Sequence, residues 1–239
     1  MKLRTKLISF LLILAFATLV YAGSQQTGST LASTIITNAR YHLNDTSSSA
    51  VASYFWTDAE LLVWVNQGTL DIASRTRCLE STEDLTLAAD TVEYAITSDY
   101  IDVSAVIYKD TSGVKKGLTR KNPQTIGNDP IDPDIGEPIY WYEWAGKIGA
   151  FPALTTGTGT ITVYYVSRPS SVTAGVAVYV PEVYERALTL YVASQAFIRS
   201  GRFDKSGALM AEYLAELDRF RTDFIERPQE PEDNIKKVQ

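Results

Sequence analysis

The hydrophobic period of this sequence changes twice, and no other feature constrains its fold as much. Between Leu31 and Ile72, apolar residues recur three and four apart, the spacing of a buried helix face. From Cys78 the pattern turns to alternation and β-rich runs, which hold through Ser167. After Val180 the helical spacing returns and continues to Phe224. A chain ordered helix–helix, β segment, helix–helix has two amphipathic helix pairs to bury. The economical solution packs both pairs into one bundle and inserts the β segment as a lobe. The expected fold class is therefore α+β: a helical bundle from the N- and C-terminal helix pairs, with an inserted antiparallel β-rich lobe folded as a sandwich or small barrel.

The element signals are local. Leu31, Ile35, Ala39 and His42/Leu43 predict a helix over 30–43, with His42 at its inward-leaning end. Asn, Asp, Ser and Thr then dominate residues 44–53, and their side chains compete for backbone groups, so this is a loop. Thr57-Asp58-Ala59-Glu60 is a capping box that opens a second helix to about Arg77, buried along Leu61, Trp64/Val65, Gly68 and Ile72. Phe55 and Trp56 stand where a hydrophobic staple would. The β segment predicts strands at 85–87, 92–96, 103–109, 114–119, 139–144, 147–151 and 160–167. Asp110-Thr111-Ser112-Gly113 and Ala145-Gly146 provide hairpin turns. Val180-Pro181-Glu182 opens the third helix, with Val183, Ala187, Leu190/Tyr191, Ser194 and Phe197/Ile198 expected inside. The last helix runs from about Phe203 to Arg227 with Met210, Tyr213/Leu214, Leu217, Phe220 and Phe224 as its apolar stripe, and Pro228 stops it.

The two ends read differently from this body. Residues 1–22 carry Lys2, Arg4 and Lys6, an apolar run from Leu7 to Val20, and Ala22 before Gly23, which is the pattern of a secretory signal. The run is short of the ~20 residues that span a bilayer. The alternative is a retained apolar helix. Residues 228–239 are polar with no core-forming pattern and are expected to be flexible when alone. The expected division is thus 1–22 signal-like, 23–77 helical, 78–168 β lobe, 169–227 helical and 228–239 tail.

Composition removes much chemistry. The 239 residues include one Cys (Cys78) and one His (His42), so an intrachain disulfide, a Cys-rich zinc site and a multi-histidine metal site are excluded. A net charge of −6 argues against a protein that coats nucleic acid. Cys78 reads as a buried apolar thiol and His42 as a helix-end hydrogen bonder. Asp129, Asp132, Asp134 and Glu137 crowd one loop, but Pro130 and Pro133 interrupt it and no calcium-loop pattern is present. No phosphate loop, metal motif or nucleophile elbow appears. No cofactor, metal or small-molecule substrate is expected, nor an enzyme.

Two surface groupings remain. Tyr140, Trp141, Tyr142 and Trp144 form an aromatic cluster on one strand. Alternation sends neighbours to opposite faces, so part is expected in the core and part at a subunit contact. Lys109, Lys115, Lys116, Arg120 and Lys121 gather on the hairpin at 110–113 and its exit. They read as a solvated hairpin or as a surface facing a polyanion or an acidic partner.

The order of short motifs resembles a known family. Ala39-Arg40-Tyr41-His42-Leu43-Asn44-Asp45, Phe55-Trp56-Thr57-Asp58-Ala59-Glu60-Leu61-Leu62, Val65-Asn66-Gln67-Gly68, Asp71-Ile72-Ala73 and Arg75-Thr76-Arg77 resemble the start of tailed-phage head-to-tail adaptor (connector, or head-completion) proteins. Asp99-Tyr100-Ile101, Val106-Ile107-Tyr108 and the closing helix pair are similar too, so the resemblance covers roughly 28–227. It implies a non-enzymatic structural ring subunit, commonly one of twelve. Such a ring is a virion part that binds the portal protein, extends the DNA channel toward a tail or nozzle protein, and lets double-stranded DNA pass without sequence specificity. It implies that the helix from 203 and the tail to 239, with Phe220, Phe224 and Ile235, dock on the portal. The aromatic strip 140–144 would build the ring, and the basic hairpin would face DNA or an acidic partner. Assembly would be in the host cytoplasm. The signal-like start lies outside the family pattern and by itself implies a periplasmic or secreted protein, an exported binder using the aromatic strip on carbohydrate or an envelope partner.

Overall fold

A computed structural model of the chain describes residues 28–46, 55–126, 135–155 and 159–224, with side chains as far as Phe220 in the last helix. The signal-like segment, the tail with Ile235, the Phe224 side chain, and Asp129, Asp132 and Asp134 lie outside the described residues. The described chain divides into two compact units, Glu80–Ser167 and Thr27–Leu79 with the stretch from Arg168 onward.

Among its described residues the second unit holds four α-helices: α1 Ala32–Leu43, α2 Asp58–Thr76, α3 Glu185–Arg199 and α4 Phe203–Phe224. In α3, nine positions are buried, among them Ala187, Leu188, Leu190, Val192, Ala193, Ser194 and Phe197. A helix buried on so many sides is the central one of its unit. The other three bury single stripes: Ile35, Ile36 and Ala39 on α1, Leu61, Val65 and Ile72 on α2, Tyr213 and Leu217 on α4. Between α3 and α4 the chain reverses at Gly201, whose φ of 74° favours glycine.

Several expected faces shift by one residue. His42 is exposed beside the exposed Tyr41, because the buried stripe of α1 ends with Ala39 and Arg40. Val183 is exposed because residues 182–184 form a 3₁₀ turn that sends Tyr184 inward, and α3 begins only at Glu185. Ile198 and Leu214 point outward, and their neighbours Phe197 and Tyr213 take the inner positions.

The β unit contains β1 Glu80–Leu87, β2 Glu93–Ala95, β3 Tyr100–Lys109, β4 Lys115–Gly117, β5 Thr119–Arg120, β6 Tyr140–Trp144, β7 Lys147–Phe151 and β8 Gly159–Ser167. They form two four-stranded sheets, ordered β1-β8-β3-β4 and β2-β7-β6-β5. Pairing is antiparallel except between β5 and β6, which run parallel. Both sheets supply one core: Leu87, Val103, Val106, Ile161, Val163 and Tyr165 from the first, Trp141, Ile148 and Ala150 from the second. The sheets are open, so the lobe is a sandwich and not a barrel.

Two departures here position the site. β1 starts at Glu80, five residues before its expected start, since Glu and Asp are poor strand formers but tolerable on an edge strand. The single return strand expected over 114–119 is two. Leu118 is buried and breaks the run, leaving β4 in the first sheet and delivering β5 to the second.

Candidate functional site

In the helical unit the short motifs of the sequence become one framework. Arg40 is 5% exposed. Its guanidinium donates to Asp45 Oδ2 at 2.7 Å, to the Trp56 carbonyl at 2.8 Å and to Asp58 Oδ1 at 2.6 Å. Asp45 in turn accepts from the amides of Phe55 at 2.8 Å and Trp56 at 3.0 Å. The ends of the loop between α1 and α2 are thus tied to one cation. Thr57 and Glu60 complete the capping box at 3.2 and 3.1 Å, which lowers the Glu60 pKa, chiefly through the bond from the Thr57 amide. Trp56 packs edge-on against Trp64 at 5.4 Å, and Phe55 stays exposed.

The next motif acts on the chain beyond the β unit. Asn66 holds Val172 by both backbone groups, accepting its N–H at 2.8 Å and donating to its carbonyl at 3.2 Å. Gly68 lets α2 approach α3, for a Cβ there would stand 2.6 Å from Leu188 Cδ1 and 2.7 Å from Tyr191 Cδ1. Asp71 accepts from the buried Tyr213 hydroxyl on α4 and pairs with Arg75 at 2.8 Å. Burial first, then the bond to Asp71, raises the Tyr213 pKa well above the tyrosine norm. These groups hold helices.

The β unit carries the surface groupings, and its topology brings them together. Because β5 lies parallel to β6, Thr119 pairs with Tyr140 and Arg120 with Trp141. Arg120 lies over the Trp141 ring at 5.1 Å and pairs with Glu143 at 3.7 Å. The Lys121 ammonium stands 4.2 Å from the Tyr140 ring centre. Cations over ring faces gain from the ring quadrupole, so these two are fixed to the aromatic strand. Glu143 is also the partner of Tyr100, whose pKa burial and that bond push up to about 12.

The aromatic cluster splits unevenly. Trp141 is 3% exposed and belongs to the core, which removes it from any docking surface. Tyr140 and Tyr142 are half-buried and Trp144 is 60% exposed at the turn into β7. The Tyr142 ring covers Gly149 opposite, where a Cβ would stand 2.1 Å from the ring. Its hydroxyl donates to Glu93, which also pairs with Lys147 at 3.1 Å. Phe220 packs edge-on against Tyr184 at 5.8 Å, half-buried in the helical unit.

Lys109, Lys115 and Lys116 are exposed on the β3–β4 hairpin, with Lys109 and Lys115 directly opposite each other. Like charges so placed repel, which favours an anionic neighbour. Cys78 is buried, as its junction position suggested. Among the described residues no three His, Cys, Asp or Glu side chains gather as a metal site, and no helix is long and apolar enough to cross a membrane.

The helical unit thus carries polar groups that tie its helices together, and the β unit carries cations set against the aromatic strand β6, of whose rings Trp144 alone is exposed. Residues 30–234 match the SU10 adaptor protein family, and the chain belongs to it. The head-to-tail adaptor resemblance carried by the motifs is thereby borne out. No curated protein matches the chain. Among solved structures, a chain from the neck of an empty GTA particle is similar at 17% identity, over 71% of this chain and 82% of that one, with a TM-score of 0.25.

Sequence reasoning missed the Arg40 network and the Asp71–Tyr213 bond. A signal for the first was present, since Arg40 falls on the face otherwise built of Ile36, Ala39 and Leu43. An arginine on an apolar face needs buried acceptors. Tyr213 stood in the predicted stripe of the last helix, but no sequence signal pointed to Asp71 as its partner.

Proposed function

We propose that the chain is a non-enzymatic structural subunit of a head-to-tail connector ring in the virion. It binds the portal and extends the DNA channel toward the tail. Family membership across residues 30–234 is the observation that carries this reading. The described side chains support it, because the buried polar groups are spent on holding helices. Tyr140, Tyr142 and Trp144 serve as a subunit contact. The C-terminal segment, from α4 through Ile235, serves as the portal contact. An acidic chain carrying a few exposed lysines suits a channel through which DNA must slide, since each neutralised phosphate adds affinity that would hold it.

Co-sedimentation with isolated portal rings tests the docking. The full chain is expected to pellet with the rings, and a chain ending at residue 224 is expected to remain in the supernatant. Equal binding by the two would remove the tail from the contact, and no binding by either would remove the portal from the account.

A further inference from the structure

Among the described residues, the first sheet ends in two edge strands of opposite charge. At one edge β4 carries Lys115 and Lys116, with Lys109 beside them on β3. At the other, β1 carries Glu80, Glu83 and Asp84 and no cation. Along β1-β8-β3-β4 every neighbour is antiparallel, so β1 and β4 run in opposite directions. A second copy brought alongside by rotation alone, without inversion, therefore sets its β1 antiparallel to β4 of the first. That is the relation a head-to-tail ring contact requires.

The backbone is oriented for it. The Leu118 amide donates to the Val106 carbonyl and the Asp110 amide to the Val114 carbonyl, so even-numbered residues of this strand face β3. Lys115 and Gly117 consequently turn their amides and carbonyls outward. Carried across the sheet, the same alternation turns those of Thr82 and Asp84 outward on β1. These residues share the exposed face with Lys115, through the rows Thr86–Thr160–Lys109–Lys115 and Asp84–Thr162–Ile107–Gly117.

We propose that β4 of one copy pairs with β1 of the next, continuing the sheet across subunits with Lys115 opposite Asp84 and Lys116 opposite Glu83. This register keeps every side chain on its own face and sets Lys115 against Asp84 on the exposed face, with Lys116 beside Glu83, whose carboxylate also accepts from Thr97 and Ser98. Shifting by one residue would move each to the wrong face. The pairing also covers two strand edges that have no partner among the described residues, and such edges invite non-specific association. It rests on the ring reading and adds to that ring a second subunit contact, on the first sheet.

The test uses the full chain and its mass in solution as concentration rises. Wild type is expected to self-associate. Lys115→Asp and Asp84→Lys are each expected to raise the midpoint roughly tenfold, the cost of setting like charges face to face. An equimolar mixture of the two variants is expected to assemble again, because each then meets its complement. The double variant Lys115→Cys/Asp84→Cys is expected to form disulfide-linked multimers on mild oxidation, with neither single variant doing so. Self-association unchanged in both charge variants overturns the strand pairing and leaves the ring reading standing. A wild type that stays monomeric to millimolar concentration and a double-cysteine variant that never cross-links also overturn it, while portal binding decides the ring reading separately. Loss of DNA retention in Lys115→Asp with unchanged self-association would assign the hairpin to nucleic acid instead.

Discussion

Arg40 has 6% of its side chain exposed, and its partner Asp45 has 11%. Removing Arg40 leaves the Asp45 carboxylate buried without its countercharge, held only through the Phe55 and Trp56 amides. Arg40→Ala is therefore expected to destabilise the helical unit by about 3 kcal/mol, read from its urea midpoint by far-UV circular dichroism. A loss under about 1 kcal/mol would mean that the network is solvated and weak. Gly68→Ala tests the α2–α3 approach. The Leu188 methyl can move, but the Tyr191 ring 2.7 Å from the new Cβ has less freedom, so a loss of about 1–3 kcal/mol is expected in the same measurement. At this scale the sequence was legible wherever a rule is local. The Thr57–Glu60 box could be read from four consecutive residues. The Tyr213–Asp71 bond joins positions 142 apart, and no periodicity reports such a meeting.

At the scale of elements, the helices were legible because each buries a stripe, whereas β1 and the β4–β5 break were not. An edge strand with Glu80, Glu83 and Asp84 carries little β propensity and is held by its long pairing with β8. Leu118 reads as one more strand residue until the second sheet is known to take up β5. Glu83 shows how the edge is anchored. Burial alone would raise its pKa, but bonds from Thr97 and Ser98 outweigh it and hold the carboxyl below its usual range. Its contribution is complete above about pH 4.3 and is lost as pH falls below that. The tyrosines act in the opposite direction. Tyr213 and Tyr100 keep their protons in the folded chain beyond the unfolded value near 10. Their stabilisation is complete below about pH 10 and is lost as pH rises, for Tyr100 by about pH 12. Denaturation midpoints are expected to stay level to about pH 10 and then fall. Tyr213→Phe is expected to flatten that fall in the helical unit, while lowering its stability by about 1 kcal/mol at neutral pH. A wild-type midpoint that does not change from pH 8 to 11 would contradict this.

At the scale of the whole molecule, the near-absence of Cys and His matches what the structure does with its other polar groups. Arg40, Asp45, Asp58, Asn66, Asp71 and Tyr213 are all engaged in holding helices together. The helix–β–helix order and the two-sheet lobe were legible because the hydrophobic period changes at both boundaries. The surfaces were legible only as groupings of residues. That Arg120 and Lys121 are fixed on aromatic rings while Lys109, Lys115 and Lys116 stand free of that strand depends on β5 crossing to the second sheet. The central claim, that this adaptor-family chain is a ring subunit on a portal, is tested most directly by its mass in solution with and without portal rings. The account predicts a closed ring of fixed subunit number bound to each portal. A chain that remains strictly monomeric and never binds a portal ring would contradict it.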